Sequence, residues 1–337
     1  MSDEAAAGVP RTGLVLPEYG DKTGTELVDF ARRAEEAGFG SVWCGEGWGY
    51  NAFTLLGRVS EHVDVPLGTS IANAFARSPT ALAAEALTLH EATGGNFVLG
   101  LGTSTPAVVE QFHGTSFHRP LRRIRETIEI VDLALTGERI DYDGEVIELG
   151  GFALNHANGA DVTILNGAIG TTNIALSIEY ADGILPHLLP VPAIEDAIAA
   201  AEQRAGESSS LHVAPSLPTS VSEDPQHARD VMSRHVAYYV GSTEFYNDTV
   251  ADNGFPEEAA AIWDAWQDHD QAAAAEAVSD DLLDALGIVG TPERARRRVE
   301  ELLDGIVDSV LVSFPMDADD EMFAATLAAL PEGGRDG

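Results

Sequence analysis

Four groups of residues in this 337-residue chain have types and spacings suited to chemistry. Glu46 is the one carboxylate in its stretch, at the end of an apolar run and beside Trp48 and Tyr50. Desolvation there would raise its pKa and suit it to proton transfer; a solvated loop carboxylate is the plainer alternative. His113 and His118 flank a loop with Gly114, and His187 follows the apolar run 183–186. Each could line a pocket and move a proton, or sit at a turn in solvent. Gly170-Thr171-Thr172 opens a helix expected at 172–181. Its free backbone N–H groups could hold a phosphate without a lysine, and a plain N-cap by Thr171 is the competing explanation. Arg77, Arg119 and Arg122 could hold anionic groups or pair with surface acids.

Other chemistries are missing. There is no Ser-His-Asp set with a nucleophile elbow, no P-loop and no G-x-G-x-x-G; Gly100-Leu-Gly102 runs on into Thr-Ser-Thr at a strand end. The ten histidines lack metal-ligand spacing, so no metal is expected, and the single cysteine, Cys44, allows no internal disulfide or cysteine zinc site.

The elements that must position these residues follow one grammar. Thr23 with Glu26 makes a capping box, Leu27, Phe30, Ala31, Ala34 and Ala37 form an apolar stripe, and Gly38 ends the helix before the strand Ser41-Val-Trp-Cys44. The same sequence of helix stop and short unalternating strand returns at 93–99, 180–185 and 303–312. Such strands are buried on both faces, as in a parallel sheet. Eight are expected, at 12–17, 40–46, 65–71, 96–103, 162–167, 183–187, 211–218 and 307–314, which favours a single-domain (β/α)8 TIM barrel over residues 1–337. Insertions follow strand four (about 104–161, with a hairpin turning at Asp143-Gly144) and strand seven (about 220–306). Both are expected over the barrel mouth as lids. The C-terminal strand ends, where barrel chemistry gathers, are rich in Gly, Thr, Ser and aromatics and poor in charge. That suits a flat ring system held by backbone groups, with chemistry supplied by a cofactor.

Charge bounds the partners. Fifty-five Asp and Glu against 19 Lys and Arg give −36, and Lys22 is the one lysine. Nucleic acid and anionic membrane surfaces are excluded, since both need clustered cations. Near-total loss of lysine under so large an acidic excess reads as salt adaptation, concentrated counterions screening the self-repulsion. An acidic start and no run of about 18 apolar residues lead to the expectation of a soluble, cytoplasmic protein.

The segments Ser41 to Thr54, Leu67-Gly-Thr-Ser70, Arg77-Ser-Pro-Thr-Ala-Leu-Ala83 and Phe97-Val-Leu-Gly-Leu-Gly-Thr-Ser104 resemble the bacterial luciferase-like family. The resemblance is closest to its branch that uses the deazaflavin coenzyme F420, with Pro106, Val108, Val109, Gly114, Pro120 and Arg125-Glu126 continuing the fourth segment. It extends from about residue 12 to 314, through Ala181-Asp-Gly183 and Gly290-Thr-Pro-Glu293. It implies a barrel whose deazaflavin ring rests on a bulge after strand three, often with a non-proline cis peptide, here at Ser70-Ile71 with Thr69 and Asn73 flanking it. The coenzyme tail would lie against Thr103, Ser104, Gly170, Thr171 and Thr172. Relatives are often dimers, so a homodimer is one expectation. Several relatives carry an Asp-His pair where this chain has Glu46-Gly47, and the methylene-tetrahydromethanopterin reductases have an acidic residue in strand one where this chain has Val15 or its neighbours.

The activity expected from the resemblance is hydride transfer between deazaflavin and a small organic or one-carbon-carrier substrate, with Glu46, His113 or His187 moving the proton. An FMN-dependent monooxygenase, a non-catalytic flavin- or deazaflavin-binding protein, and a sugar- or phosphate-processing barrel are the alternatives.

Overall fold

A computed structural model describes residues 8–47 and 49–330. The acidic start and Trp48 lie outside the described residues. Eight parallel strands form the barrel: β1 (Thr12–Val15), β2 (Ser41–Cys44), β3 (Leu67–Thr69), β4 (Phe97–Gly102), β5 (Thr163–Asn166), β6 (Gly183–Ile184), β7 (His212–Val213, resuming as Ser216–Val221) and β8 (Val310–Ser313). Each pairs with the next in the chain, and β1 pairs with β8, Thr12 opposite Val310. The ring closes through β7, which breaks at Ala214-Pro215 and lends its halves to different neighbours. Ala214 N–H donates to Ile184, while Pro215 O accepts from Leu311 N–H. The architecture is the TIM-barrel type that the strand count predicts.

Val15, Trp43, Val98, Leu165, Leu185, Ala214 and Leu311 form one cluster drawn from almost every strand, the filled barrel interior. Trp43 is fully buried, and its bulk is matched by absent side chains on both neighbours. A Cβ on Gly13 would fall 2.5 Å from its Nε1, and one on Gly68 2.3 Å from its Cζ3. Trp43 Nε1–H is satisfied by Ser41 Oγ at 2.8 Å.

The surrounding helices are set by local signals. Helix Gly24–Ala37 carries the full capping box, Thr23 N–H donating to Glu26 and Glu26 N–H to Thr23 Oγ1, and stops at Gly38 with φ 106°. Thr291 caps helix Pro292–Leu303.

Two elements depart from expectation. Strand seven runs on to Val221 and pairs in parallel with an additional strand, Ile288–Gly290, which is too short and too closely framed by helix signals to read from sequence. The hairpin Ile140–Asp143 with Glu148–Phe152 does not turn on two residues at Asp143-Gly144; Asp143 pairs with Glu148 and the loop holds four residues. The cause is Glu126, 2% exposed, whose carboxylate accepts the N–H groups of Glu145, Val146 and Ile147 at 2.8–3.1 Å and holds the loop open. The hairpin therefore packs on helix Pro120–Leu135, Tyr142 OH donating to Glu129. Tyr239 and Tyr246 of the second insertion pack against His187, which follows β6.

Candidate active site

A closed circuit of contacts can be traced around the C-terminal ends of the strands. After β1, Glu18 lies over the β2 loop: a Cβ on Gly45 would fall 1.6 Å from its Oε1 and 2.9 Å from Ser70 O after β3. The Ser70-Ile71 peptide is cis, where the family resemblance puts it. The chain then rejoins β4, Ala72 opposite Leu101 and Asn73 opposite Gly102. Ile71 lies across two glycines from the next strands, a Cβ on Gly102 falling 2.9 Å and one on Gly167 3.3 Å from its side chain. Any larger residue at Gly102 would push Ile71 out of place. On the far side His187 donates or accepts through Nδ1 at Ser216 O, 3.2 Å away. A carbonyl can only accept, so Nδ1 carries the proton and Nε2 keeps a free lone pair. The His187 ring meets Tyr239 and Tyr246 edge-on, and Tyr239 OH bonds Tyr19 OH at 2.6 Å, returning the circuit to β1.

Glu46 is not a free carboxyl. Arg77 binds both its oxygens at 2.5 Å, Asn73 N–H donates to Oε2 at 3.1 Å, and the Glu46 N–H itself donates to Ile71 O. Arg77 also pairs with Glu85. The pair is nearly sealed, with 15% and 9% of the side chains exposed. Desolvation, taken from sequence to prepare Glu46 for proton transfer, is met instead by a bidentate partner, and the residue staples the bulge. Arg119 and Arg122 both pair with Glu145 on the hairpin. His113 is exposed, with its ring against Phe112, and has no contact with the circuit among the described residues.

Thr69 turns into the sheet, Oγ1 donating to Gly100 O. Asn73 is fully buried. Its Oδ1 accepts from Phe75 N–H, while Nδ2 has no hydrogen-bond partner among the described residues. Thr103 and Ser104 are half-buried at the end of β4, Ser104 in the left-handed region at φ 57°. At helix Thr171–Tyr180 the N-cap is Gly170, with no side-chain cap, so Thr171 does not play the capping role that competed with anion binding. The first intrahelical bonds come from Asn173 and Ile174 to Gly170 O, leaving the exposed Thr171 and Thr172 N–H groups without a backbone partner among the described residues.

Residues not singled out from sequence complete the mouth. Glu18 is exposed and has no hydrogen-bond or ion-pair partner among the described residues; the protein packed around its carboxyl desolvates it and pushes it up to about 7. Burial raises Tyr246 to about 12 and lowers His187 and His235, the latter to about 3. These groups are neutral at pH 7. His235 accepts from Met316 N–H through Nδ1 and backs the Tyr239 ring. The tyrosines sit in the run 238–246 of the insertion after strand seven, and that aromatic run was the available signal. No group of three or more His, Cys, Asp or Glu among the described residues could hold a metal ion.

The family model for luciferase-like monooxygenase matches residues 9–309. A Mycobacterium tuberculosis protein named as a coenzyme F420-dependent oxidoreductase is 30% identical over 319 residues, covering 86% of this chain and 90% of its own. The 5,10-methylenetetrahydromethanopterin reductase of Archaeoglobus fulgidus is 28% identical over 308 residues, covering 87% and 91%. The fold matches that of the coenzyme F420-dependent tetrahydromethanopterin reductase from Methanopyrus kandleri with TM-score 0.81 at 23% identity, over 96% of this chain and 99% of that one. A barrel ringed in this way, matched by the family model over nearly its whole length, makes the chain a member of the luciferase-like monooxygenase family.

Proposed function

We propose that the chain is a coenzyme F420-dependent oxidoreductase acting on a small organic or one-carbon-carrier substrate. The observation that carries this is a nearly uncharged mouth with two separate fittings. One is a glycine-backed apolar shelf at Ile71, and the other is an uncapped helix end at Gly170. Two curated relatives are named for F420 or for a methylenetetrahydromethanopterin reduction, and they support the assignment.

The residues present fit the coenzyme. A flat ring needs a floor without rising side chains, which Gly102 and Gly167 under Ile71 provide, and the partnerless Asn73 Nδ2 leaves a buried donor beside the shelf. A phosphate needs donors, which the Thr171 and Thr172 N–H groups supply without a lysine. When bound, the deazaflavin supplies two-electron hydride chemistry. Ser70, Ile71 and Asn73 would hold the ring, with Thr69 turned into the sheet beneath them, and Thr103, Ser104, Gly170, Thr171 and Thr172 the tail. Glu46 holds the shelf through Arg77 and the Asn73 N–H. His187 Nε2 and the Tyr19–Tyr239 pair face a substrate from the opposite wall, and the aromatic insertion sheds water from that side. A saline cytoplasm, a single-domain chain and a homodimer belong to the same proposal, supported by the charge and by the resemblance.

Titration with coenzyme F420 and, separately, FMN in molar KCl tests it. F420 should bind and FMN should bind at least tenfold more weakly. Preference for FMN, or binding of neither, overturns the reading.

A further inference from the structure

The proton that must accompany a hydride has no donor among the groups expected from sequence. Glu46 has both oxygens bound by Arg77, His113 is outside the circuit, and His187 carries its proton on Nδ1, against Ser216 O. Tyr19 and Tyr239 bond one another. Burial holds Tyr246 up at about 12, and Glu18 is the remaining carboxyl group in the circuit. Its Oε1 and the Ser70 carbonyl both lie within 3 Å of one point above Gly45, so the carboxyl stands at the edge of the Ile71 shelf. Gly47 passes beside it without a side chain, a Cβ there falling 3.7 Å from Oε2. No cation among the described residues pairs with the carboxyl, and the residue is exposed.

We propose that Glu18 is the acid–base residue of this mouth. The assignment rests on the oxidoreductase reading above. In the reducing direction the carbon of a C=O group, or of an N–CH2–N carrier whose C–N bond opens, would gain the hydride that the bound reduced coenzyme supplies, leaving that coenzyme oxidised. The Glu18 O–H bond breaks and its proton goes to the acceptor's heteroatom. The carboxylate then regains a proton from water, and oxidation runs the same steps backwards. The titratable groups facing Glu18 are Tyr19 on its own loop, Cys44 at the end of β2 and Tyr239 from helix Pro225–Ser242. Burial raises all three, so all are neutral near pH 7 and none supplies a counter-charge. The shift of Glu18 to about 7 agrees with the geometry.

Two measurements test this. In the coenzyme-free protein, infrared difference spectra between pH 5 and 9 should show a carboxyl titrating near 7 that is missing from Glu18→Gln; titration of that group in the ordinary carboxylate range overturns the proposal whether or not any coenzyme binds. With F420 loaded, acetone and methylenetetrahydromethanopterin serve as probe acceptors. Glu18→Gln should bind F420 within threefold of wild type but lose at least a hundredfold in kcat on the acceptor that wild type reduces, with the fall in rate above pH 7 abolished and partly restored in Glu18→Asp. Wild-type turnover in Glu18→Gln overturns the role of Glu18 and leaves the coenzyme assignment standing, whereas failure of wild type to bind F420 overturns that assignment alone.

Discussion

Glu46 and Arg77 form the strongest single polar contact in the site, and their burial decides what a substitution there does. An ion pair with so little exposure gains its value only while both partners are present, because the survivor is left desolvated and unpaired. Arg77→Met should therefore cost about 3–5 kcal/mol in a urea denaturation. Glu46→Leu with Arg77→Met should recover much of that loss, while leaving the Asn73 N–H without its acceptor. A loss under about 1 kcal/mol in Arg77→Met would mean that the pair is open to water. The sequence shows that Glu46 is an acid at a strand end but not that a residue 31 positions later reaches it. The wall of Tyr19, Tyr239 and Tyr246 was hidden for the same reason, since it is joined across more than two hundred residues.

Elements whose signals are local were legible almost to the residue. Helix Gly24–Ala37 carries its cap and its stop within its own sequence, as does Pro292–Leu303. The bulge after β3 and the uncapped start of helix Thr171–Tyr180 were legible through their motifs and the glycines they need. The hairpin was misjudged because its loop is decided by Glu126, a carboxylate on another element that no turn propensity reports. Glu126→Ala removes one charged acceptor shared by three N–H groups, and should cost about 3 kcal/mol. Amide exchange at residues 145–147 should speed up with it, while the barrel strands keep their protection. Unchanged exchange at those three amides would show that the loop holds its shape alone.

At the scale of the molecule, a formal charge of −36 surrounds a mouth in which the buried acid is paired and the other titratable groups are largely neutral. The single lysine is spent on Asp320 at the surface. With so few cations most acids repel one another at long range, and added salt screens that repulsion within about 3 Å at molar strength. The melting temperature should rise by at least 5 °C between dilute buffer and 2 M KCl, with F420 affinity changing less than tenfold. A flat melting temperature would remove the salt-adaptation reading, and a steep loss of affinity would mean that the tail is held by exposed charges rather than by backbone N–H groups.

The divided seventh strand has a consequence for how the chain is made. β1 has no partner on one edge until Val310 to Val312 arrive, and Leu311 then bonds Pro215 at the break in β7. Ring closure thus joins the first strand to the last, and contacts of that sequence separation form slowly. During synthesis the edges of β1 and β7 stay unpaired until the C-terminal strand has left the ribosome. A chain stopped before residue 310 would therefore present open strand edges, and it would be a target for chaperones and aggregation rather than a smaller working enzyme.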